Sequence, residues 1–334
     1  MAASPFPIVA LSDMVHGQEA DLFVLMTSKD ELTTREGKPY WRVGFRDGRR
    51  EVTFPIWENS PWAAECRQQW TPGVFYKVRA VYRESNYGPQ LEIRKIREVT
   101  EADAQDGFDP TMCLPQSRFN PEAMFDELLQ LARQHIPAGP LERLVETILA
   151  DNRDKLLRFP AAKWHHHAFA AGLLEHTLSV TRSCAYLAEK YAQKYPDMRP
   201  PLDRGLVVAG AILHDIGKLE ELALGPTETS YTPAGAMIGH LLLGRDMVRR
   251  AASQLKLNAD TLLRLEHLII AHQRLPEWGS PKPPMTPEAL IVHYADDLDA
   301  KYDMMYCALR DDNTSAPLTN DKNLLRYKVY RGLQ

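Results

Sequence analysis

From about residue 18 to residue 100 the apolar positions alternate with polar ones at a period of two, and from residue 120 onward they recur at a period near 3.6. The first regime predicts strands. Ala20 to Thr27 is apolar and β-compatible, Tyr40 to Arg46 and Glu51 to Trp57 alternate, and Asp47-Gly48 between them is a hairpin signal. A short helix is expected near Trp62 to Gln69. Val74 to Arg83 alternates again, and Asn86-Tyr87-Gly88 turns into a last strand around Gln90 to Glu98. About five strands in some 80 residues with a helix after the third predict a small OB-fold-like barrel over residues 1–100.

Residues 101–120 carry acids, Gly and Pro without a period, which reads as a linker. Asn120-Pro121 is an N-cap followed by proline at the first helical position. The pattern then predicts helices over about 121–135, 139–151, 171–194, 202–216, 234–254, 258–273 and 287–310, with Pro-rich breaks at 196–201 and 276–287. The fold class is therefore multidomain β + α, a barrel followed by an all-α bundle over 121–312. The tail from 313 to 334 is ambiguous, and its basic stretch from Lys322 suits a strand or a terminal helix. The stripe Leu262, Leu265, Leu268 and Ile269 is expected in the core.

The composition is that of a globular protein: 44% hydrophobic and 25% charged over 334 residues, with a mean hydropathy of −0.36. A net charge of −4 excludes a uniformly basic surface, so any nucleic-acid binding must come from a local patch. Four scattered cysteines without a C-x-x-C pair argue for reduced thiols and against zinc ribbons. The first residues lack a signal-peptide pattern and no apolar run reaches about 18 residues, so a cytoplasmic protein without a membrane partner is expected.

Candidate chemistry begins with His214-Asp215, side by side in the apolar stretch Gly210 to Lys218. Burying such a pair is costly unless it is hydrogen-bonded, ion-paired or bound to a metal. Nine of the eleven histidines lie between positions 165 and 293. The candidate ligands are His176, His214, Asp215, His240, His272 and Asp296, on five different predicted helices, so only tertiary packing can gather them. His267 competes with His272 for its role, and Asp297 and Asp299 compete with Asp296. Imidazole and carboxylate without thiolate suit Mn, Fe, Co, Ni, Zn or Mg. The H…HD…D set alone supports one ion; His240 and His272 suggest two, with Asp215 bridging them. Two ions roughly 3.5 to 4 Å apart clamp a phosphodiester and activate a water. On the barrel, Tyr40, Trp41, Arg42, Arg46, Lys77 and Arg79 interleave aromatics for base stacking with cations for phosphates.

The segments Leu174-Glu-His-Thr177, Leu213-His-Asp-Ile-Gly-Lys218, Ile238-Gly-His240, Ile270-Ala-His272 and His293-Tyr-Ala-Asp-Asp-Leu-Asp299 resemble the HD superfamily of metal-dependent phosphohydrolases. A barrel followed by such a domain, with His166-His-Ala-Phe169 and Gly172-Leu-Leu-Glu-His-Thr177, is similar to the YhaM-like 3′-to-5′ exoribonucleases over nearly the whole chain. The resemblance implies a single-stranded RNA or DNA substrate, a manganese-type metal, nucleoside monophosphate products and a possible homo-oligomer. It implies that His176, His214, Asp215 and Asp296 are core ligands and that His240 and His272 complete a second metal. Lys218 would contact the scissile phosphate, Asp215 would hold the attacking water, and His166 and His167 would line the pocket. One departure stands out: Ala271-His-Gln-Arg274 occupies the place of an expected Ser-His-His-Gly, which puts metal number in question. Two other functions fit the same residues. A nucleotide or cyclic-dinucleotide phosphohydrolase of the superfamily is disfavoured by the barrel and by the lack of Gly-Tyr-Pro after the site, and a non-catalytic nucleic-acid-binding regulator is the third reading.

Overall fold

The computed structural model describes residues 6–34, 36–85, 88–113, 115–162, 167, 169–225, 229–310, 312 and 316–332. The chain divides into two compact units, one running to Gln116 and the other beginning at Ser117.

The first unit is built on β1 (Glu19–Thr33), β2 (Pro39–Arg46), β3 (Glu51–Trp57), β4 (Phe75–Ser85) and β5 (Gly88–Glu98), with the short helix α1 (Ala63–Gln68) between β3 and β4. The strands are antiparallel in the order β3-β2-β1-β4-β5, and β3 lies alongside β5, so the sheet curls into a barrel. This connectivity, with its helix after the third strand, is that of an OB-fold. Alternation sends Leu22, Val24, Met26, Val43, Phe45, Val52, Phe54 and Val78 inward to a core completed by Trp70 and Tyr76. A register shift between Met26 and Ser28 bends β1 where it meets Gly44. A Cβ at Gly44 would lie 2.4 Å from Thr27 Oγ1 and 2.7 Å from Ser28 Oγ, so a side chain there would have to displace both hydroxyls. Asp47 forms the expected turn by accepting the N–H groups of Arg49 (2.9 Å) and Arg50 (2.7 Å).

Within the stretch read as a linker, Glu101–Asp106 and Pro110–Cys113 form 3₁₀ turns. Asp103 is buried there and accepts hydrogen bonds from Arg97 (2.6 and 2.7 Å) and from the Thr100 N–H (2.9 Å). The Arg97 bond, helped by Thr100 and opposed by burial, holds its carboxyl well below the usual range. A carboxylate with a depressed folded-state pKa stabilises the fold above its unfolded value of about 3.9, and that contribution is lost as pH falls. Urea unfolding followed by tryptophan fluorescence is therefore expected to weaken progressively below about pH 4. In Asp103→Asn that acid limb should flatten and stability at neutral pH should be lower; an unchanged acid limb would refute the assignment.

The second unit contains α2 (Pro121–His135), α3 (Pro140–Asp151), α4 (Arg153–Leu156), α5 (Gly172–Lys194), α6 (Arg204–Leu213), α7 (Lys218–Glu221), a hairpin of β6 (Leu222–Leu224) and β7 (Thr229–Tyr231), α8 (Pro233–Ile238), α9 (His240–Ala252), α10 (Ala259–Ala271) and α11 (Pro287–Arg310). Every residue of α6 from Gly205 to Leu213 is buried, and the helix is surrounded by α2, α3, α5, α10 and α11. It is the axis of the bundle. Leu265, Leu268 and Ile269 of the expected core stripe are buried, and Leu262 packs against them partly exposed.

Three local expectations change. The helix read over 234–254 is two helices, because Gly239 takes φ +80° and turns the chain between α8 and α9. The region after 120 is not wholly helical, since β6 and β7 pair there as an antiparallel hairpin. The tail forms neither strand nor helix among its described residues, which carry one isolated bridge between Leu318 and Tyr330. Among the described residues no helix is long and apolar enough to cross a membrane.

Candidate metal centre and nucleic-acid surface

His214 and Asp215 are not inside a helix but in the turn that ends α6, which stops at Leu213. A helix end leaves carbonyls without intrahelical partners, and His214 uses one: its Nδ1 lies 2.7 Å from Ala211 O. His272 repeats the device after α10, with Nδ1 2.8 Å from Ile269 O. His176, about one turn into α5, sets Nδ1 2.7 Å from Asp299 Oδ2, and His240, at the start of α9, sets Nδ1 3.0 Å from Glu221 Oε1. All four partners are acceptors, so each ring donates from Nδ1 and turns its Nε2 forward, where the neutral imidazole carries its lone pair.

The forward atoms converge in two groups. In the first, His176 Nε2 lies 3.1 Å from Asp296 Oδ1, 3.3 Å from His214 Nε2 and 3.6 Å from Asp215 Oδ2, while His214 Nε2 is 3.5 Å from Asp215 Oδ2 and 3.8 Å from Asp296 Oδ1. In the second, Asp215 Oδ1 lies 3.4 Å from His240 Nε2 and 3.6 Å from His272 Nε2, and His272 Nε2 is 3.9 Å from Asp296 Oδ2. Asp215 thus offers one oxygen to each group. His214, His176 and His272 are at most 1% exposed and Asp215 2% exposed, so water does not freely solvate these donors. Asp215 Oδ1 and His272 Nε2 are buried acceptors with no hydrogen-bond partner among the described residues. Lone pairs that face one another in a buried site are repulsive unless a cation sits among them, so the donor set fits divalent metal.

Protons and Lys218 balance the charge of the carboxylates among themselves. Burial opposes the charged form of His176, but hydrogen bonds to Asp296 and Asp299 raise its pKa to about 10. Burial would raise Asp296 and Asp215. For Asp296 the His176 hydrogen bond, and for Asp215 the Lys218 ammonium, wins and keeps each below the usual range. Lys218, 7% exposed, places Nζ 2.7 Å from Asp215 Oδ2, which holds its pKa up despite burial. His166 lies outside the described residues. His167 is buried on the Asp299 side of His176, with Nε2 3.9 Å from Asp299 and Nδ1 3.8 Å from Asp303. Burial, then the neighbouring His176, pushes it down to about 4, so it is neutral at pH 7.

His267 is drawn away from the centre and accepts the Met285 N–H at 2.9 Å, and Asp297 pairs with Lys301. Asp299, three residues beyond Asp296 on the same face of α11, turns out to orient His176 and also accepts the Ser179 hydroxyl. Glu221 has the same role for His240, and nothing in the local pattern marks it beforehand. A cavity of about 480 Å³ lies on the Asp299 side, walled by Phe119, Tyr302 and Tyr306 and flanked by Arg118 and Arg182.

On the barrel, alternation along β2 sends Tyr40 and Arg42 outward and Trp41 inward. Trp41 is 6% exposed and presents no face to a ligand. Tyr40 packs against the half-exposed Trp57 of β3 with centroids 5.0 Å apart and the rings tilted by 38°, and Arg42 reaches Asp30 at 3.2 Å. Arg46 has a buried Nε without a hydrogen-bond partner. Lys77 is held by Asp106 (2.5 Å) and Asp103 (3.4 Å), and Arg79 makes a two-pronged pair with Asp21 (2.8 and 3.0 Å). Tyr40, Trp57 and Arg42 are therefore the accessible aromatic and cationic group, Arg42 through an exposed pair with Asp30, while Lys77 and Arg79 are held by carboxylates and largely covered.

Among solved structures, the second OB-fold domain of replication protein A from Methanococcus maripaludis is 10% identical over 28% of this chain and 96% of that chain, with a TM-score of 0.22. An asparaginyl-tRNA synthetase from Entamoeba histolytica, in complex with asparaginyl-adenylate, is 10% identical over 45% of this chain and 36% of that one, with a TM-score of 0.23. Scores so low carry no argument. Residues 118–221 match the family described as "Putative helicase", and residues 173–301 match the family described as HD domain. All six convergent residues fall within the second match. The chain thus carries an HD domain at residues 173–301, the domain type of metal-dependent phosphohydrolases, behind an OB-type barrel.

Proposed function

We propose that this protein is a metal-dependent phosphodiesterase that trims single-stranded RNA, or single-stranded DNA, from the 3′ end and releases nucleoside monophosphates. The observation that carries the reading is the buried ring of inward-facing acceptors, divided between two positions by the two oxygens of Asp215. Divalent ions bound there, of which Mn²⁺ is the one the family resemblance implies, would supply a water of lowered pKa and positive charge against a phosphate. The chain's own residues do the rest. His176, His214, Asp215 and Asp296 would hold one ion, and Asp215, His240 and His272 a second. Asp299 and Glu221 keep the rings of His176 and His240 aimed forward, which a mobile imidazole would not sustain. Lys218 brings a fixed positive charge beside Asp215, ready to meet a phosphate oxygen.

A strand rather than a mononucleotide is favoured by the adjoining aromatics Tyr40 and Trp57 with Arg42 on the barrel, since base stacking and phosphate contact suit single strands of any sequence. The aromatic walls of the cavity beside Asp299 suit a terminal base. With 5′-labelled single-stranded RNA and Mn²⁺, the metal-stripped chain is expected to yield a ladder that shortens from the 3′ end. Trp57→Ala should weaken strand binding by about 1 to 3 kcal/mol while leaving hydrolysis of a dinucleotide unchanged. Binding without cleavage in Mn²⁺, Mg²⁺, Co²⁺ and Ni²⁺ would remove the nuclease reading.

A further inference from the structure

Gln273 directly follows His272, and its amide Nε2 lies 3.1 Å from His240 Nε2. The Nδ1 of His240 is already engaged by Glu221 Oε1, an atom that only accepts, so its ring proton sits on Nδ1 and Nε2 offers a lone pair. The amide N–H of Gln273 therefore caps the one atom of His240 that could bind a cation. A primary amide carries a donor and an acceptor on one carbon, and half a turn about the last side-chain bond exchanges them in place. After that turn an oxygen would stand where the nitrogen stands now.

The neighbouring atoms are already suited to this. Asp215 Oδ1 lies 3.4 Å from His240 Nε2 and 3.6 Å from His272 Nε2, and Asp215 Oδ1 and His272 Nε2 lack hydrogen-bond partners. Donors that share one ion at bonds of about 2.1 Å stand roughly 3.0 to 3.5 Å apart, so the 3.1 Å between the Gln273 amide and His240 fits a shared ion as well as it fits a hydrogen bond.

We propose that Gln273 is the fourth ligand of the second metal position, presenting Oε1 to a divalent cation in exchange for the hydrogen bond between its amide and His240. The proposal rests on the metal-dependent reading of the site. Two properties follow. The second ion binds more weakly than the first, because it must displace the hydrogen bond between Gln273 and His240. A neutral amide oxygen in place of an imidazole also tilts that position toward Mn²⁺ and Mg²⁺ and away from Zn²⁺.

The test is a titration of the metal-stripped full chain with Mn²⁺, by calorimetry and by the electron paramagnetic resonance of coupled Mn²⁺ ions. Wild type is expected to take two ions with the second weaker. Gln273→Leu should keep the first ion and weaken the second by about tenfold or more, the range seen when groups around a metal are removed. Gln273→Glu, similar in shape but unable to donate when ionised, should tighten the second ion by about as much and remains informative if the leucine variant folds poorly. A leucine variant that binds the second ion as tightly as wild type, or more tightly, would mean that the amide only plugs the site, and the proposal fails. It fails equally if wild type binds a single ion at millimolar Mn²⁺, or if the glutamate variant gains nothing. No substrate is used, so a negative nuclease assay leaves this result standing.

Discussion

Asp215→Ala is expected to lower hydrolysis of a single-stranded 3′ end on the order of a thousandfold and to leave the chain unable to retain Mn²⁺ through gel filtration. The reason is that both oxygens of this carboxylate are engaged. Oδ2 faces His176 and His214, and Oδ1 faces His240 and His272, whereas Asp296, the other carboxylate with an oxygen toward each group, comes no nearer than 3.9 Å to His272. The same substitution strands Lys218, which is 7% exposed and lies 2.7 Å from Oδ2. A buried ammonium without its partner costs roughly 3 to 5 kcal/mol, so unfolding must be measured beside activity. Asp215→Asn separates the effects, because it keeps an acceptor for Lys218 while removing the charge. Metal loss and inactivity in a stably folded asparagine variant would locate the defect in the site. Near-wild-type turnover in that variant would remove Asp215 from the centre of the mechanism.

Gly217→Ala should be nearly as damaging, although glycine does no chemistry. A Cβ there would lie 2.0 Å from the carbonyl oxygen of His240, 2.4 Å from the amide nitrogen of Gly244 and 2.9 Å from the Gly244 Cα. These are backbone atoms, which cannot swing aside as a side chain can. The methyl would force the start of α9 away from α7, and with it His240, which stands 3.4 Å from Asp215. Overpacking of this kind costs about 3 kcal/mol, and even a small shift would split the second metal position. Urea unfolding together with Mn²⁺ stoichiometry checks both consequences. Gly139→Ala is the control, since its Cβ would meet nothing nearer than 3.8 Å and the change should stay within about 1 kcal/mol. A Gly217→Ala chain as stable as wild type, with both ions bound, would show that the close approach is not required.

Much of the molecule was legible before folding was considered, because local chemistry determines it. Period-two alternation with Asp47-Gly48 placed β2 and β3 to the residue or nearly so, and Asn120-Pro121 placed the start of α2. The ends of α5 and α11 followed from the apolar period and from the proline breaks. Along β2 the same alternation, read strictly, also separates the buried Trp41 from the outward Tyr40 and Arg42. The histidine-rich second half announced metal-type chemistry, since buried imidazole and carboxylate need a charge partner.

What the one-dimensional pattern left undecided depends on atoms far apart in the chain. Gly239 splits one periodic helix in two because its backbone turns at φ +80°, which residue type permits without demanding. His214 and His272 are oriented by carbonyls exposed where α6 and α10 end, and those ends are set by packing around α6. Asp299 and Glu221 reach their histidines across 123 and 19 positions of sequence, and no spacing rule spans such gaps. Lys77 and Arg79 read as free cations until the fold brings Asp103, Asp106 and Asp21 against them. Residue types and their periods determined the elements and the kind of chemistry; only tertiary packing decided which lone pairs face each other, because hydrogen bonding and Coulomb interactions act over a few ångströms of space, whatever the separation along the chain.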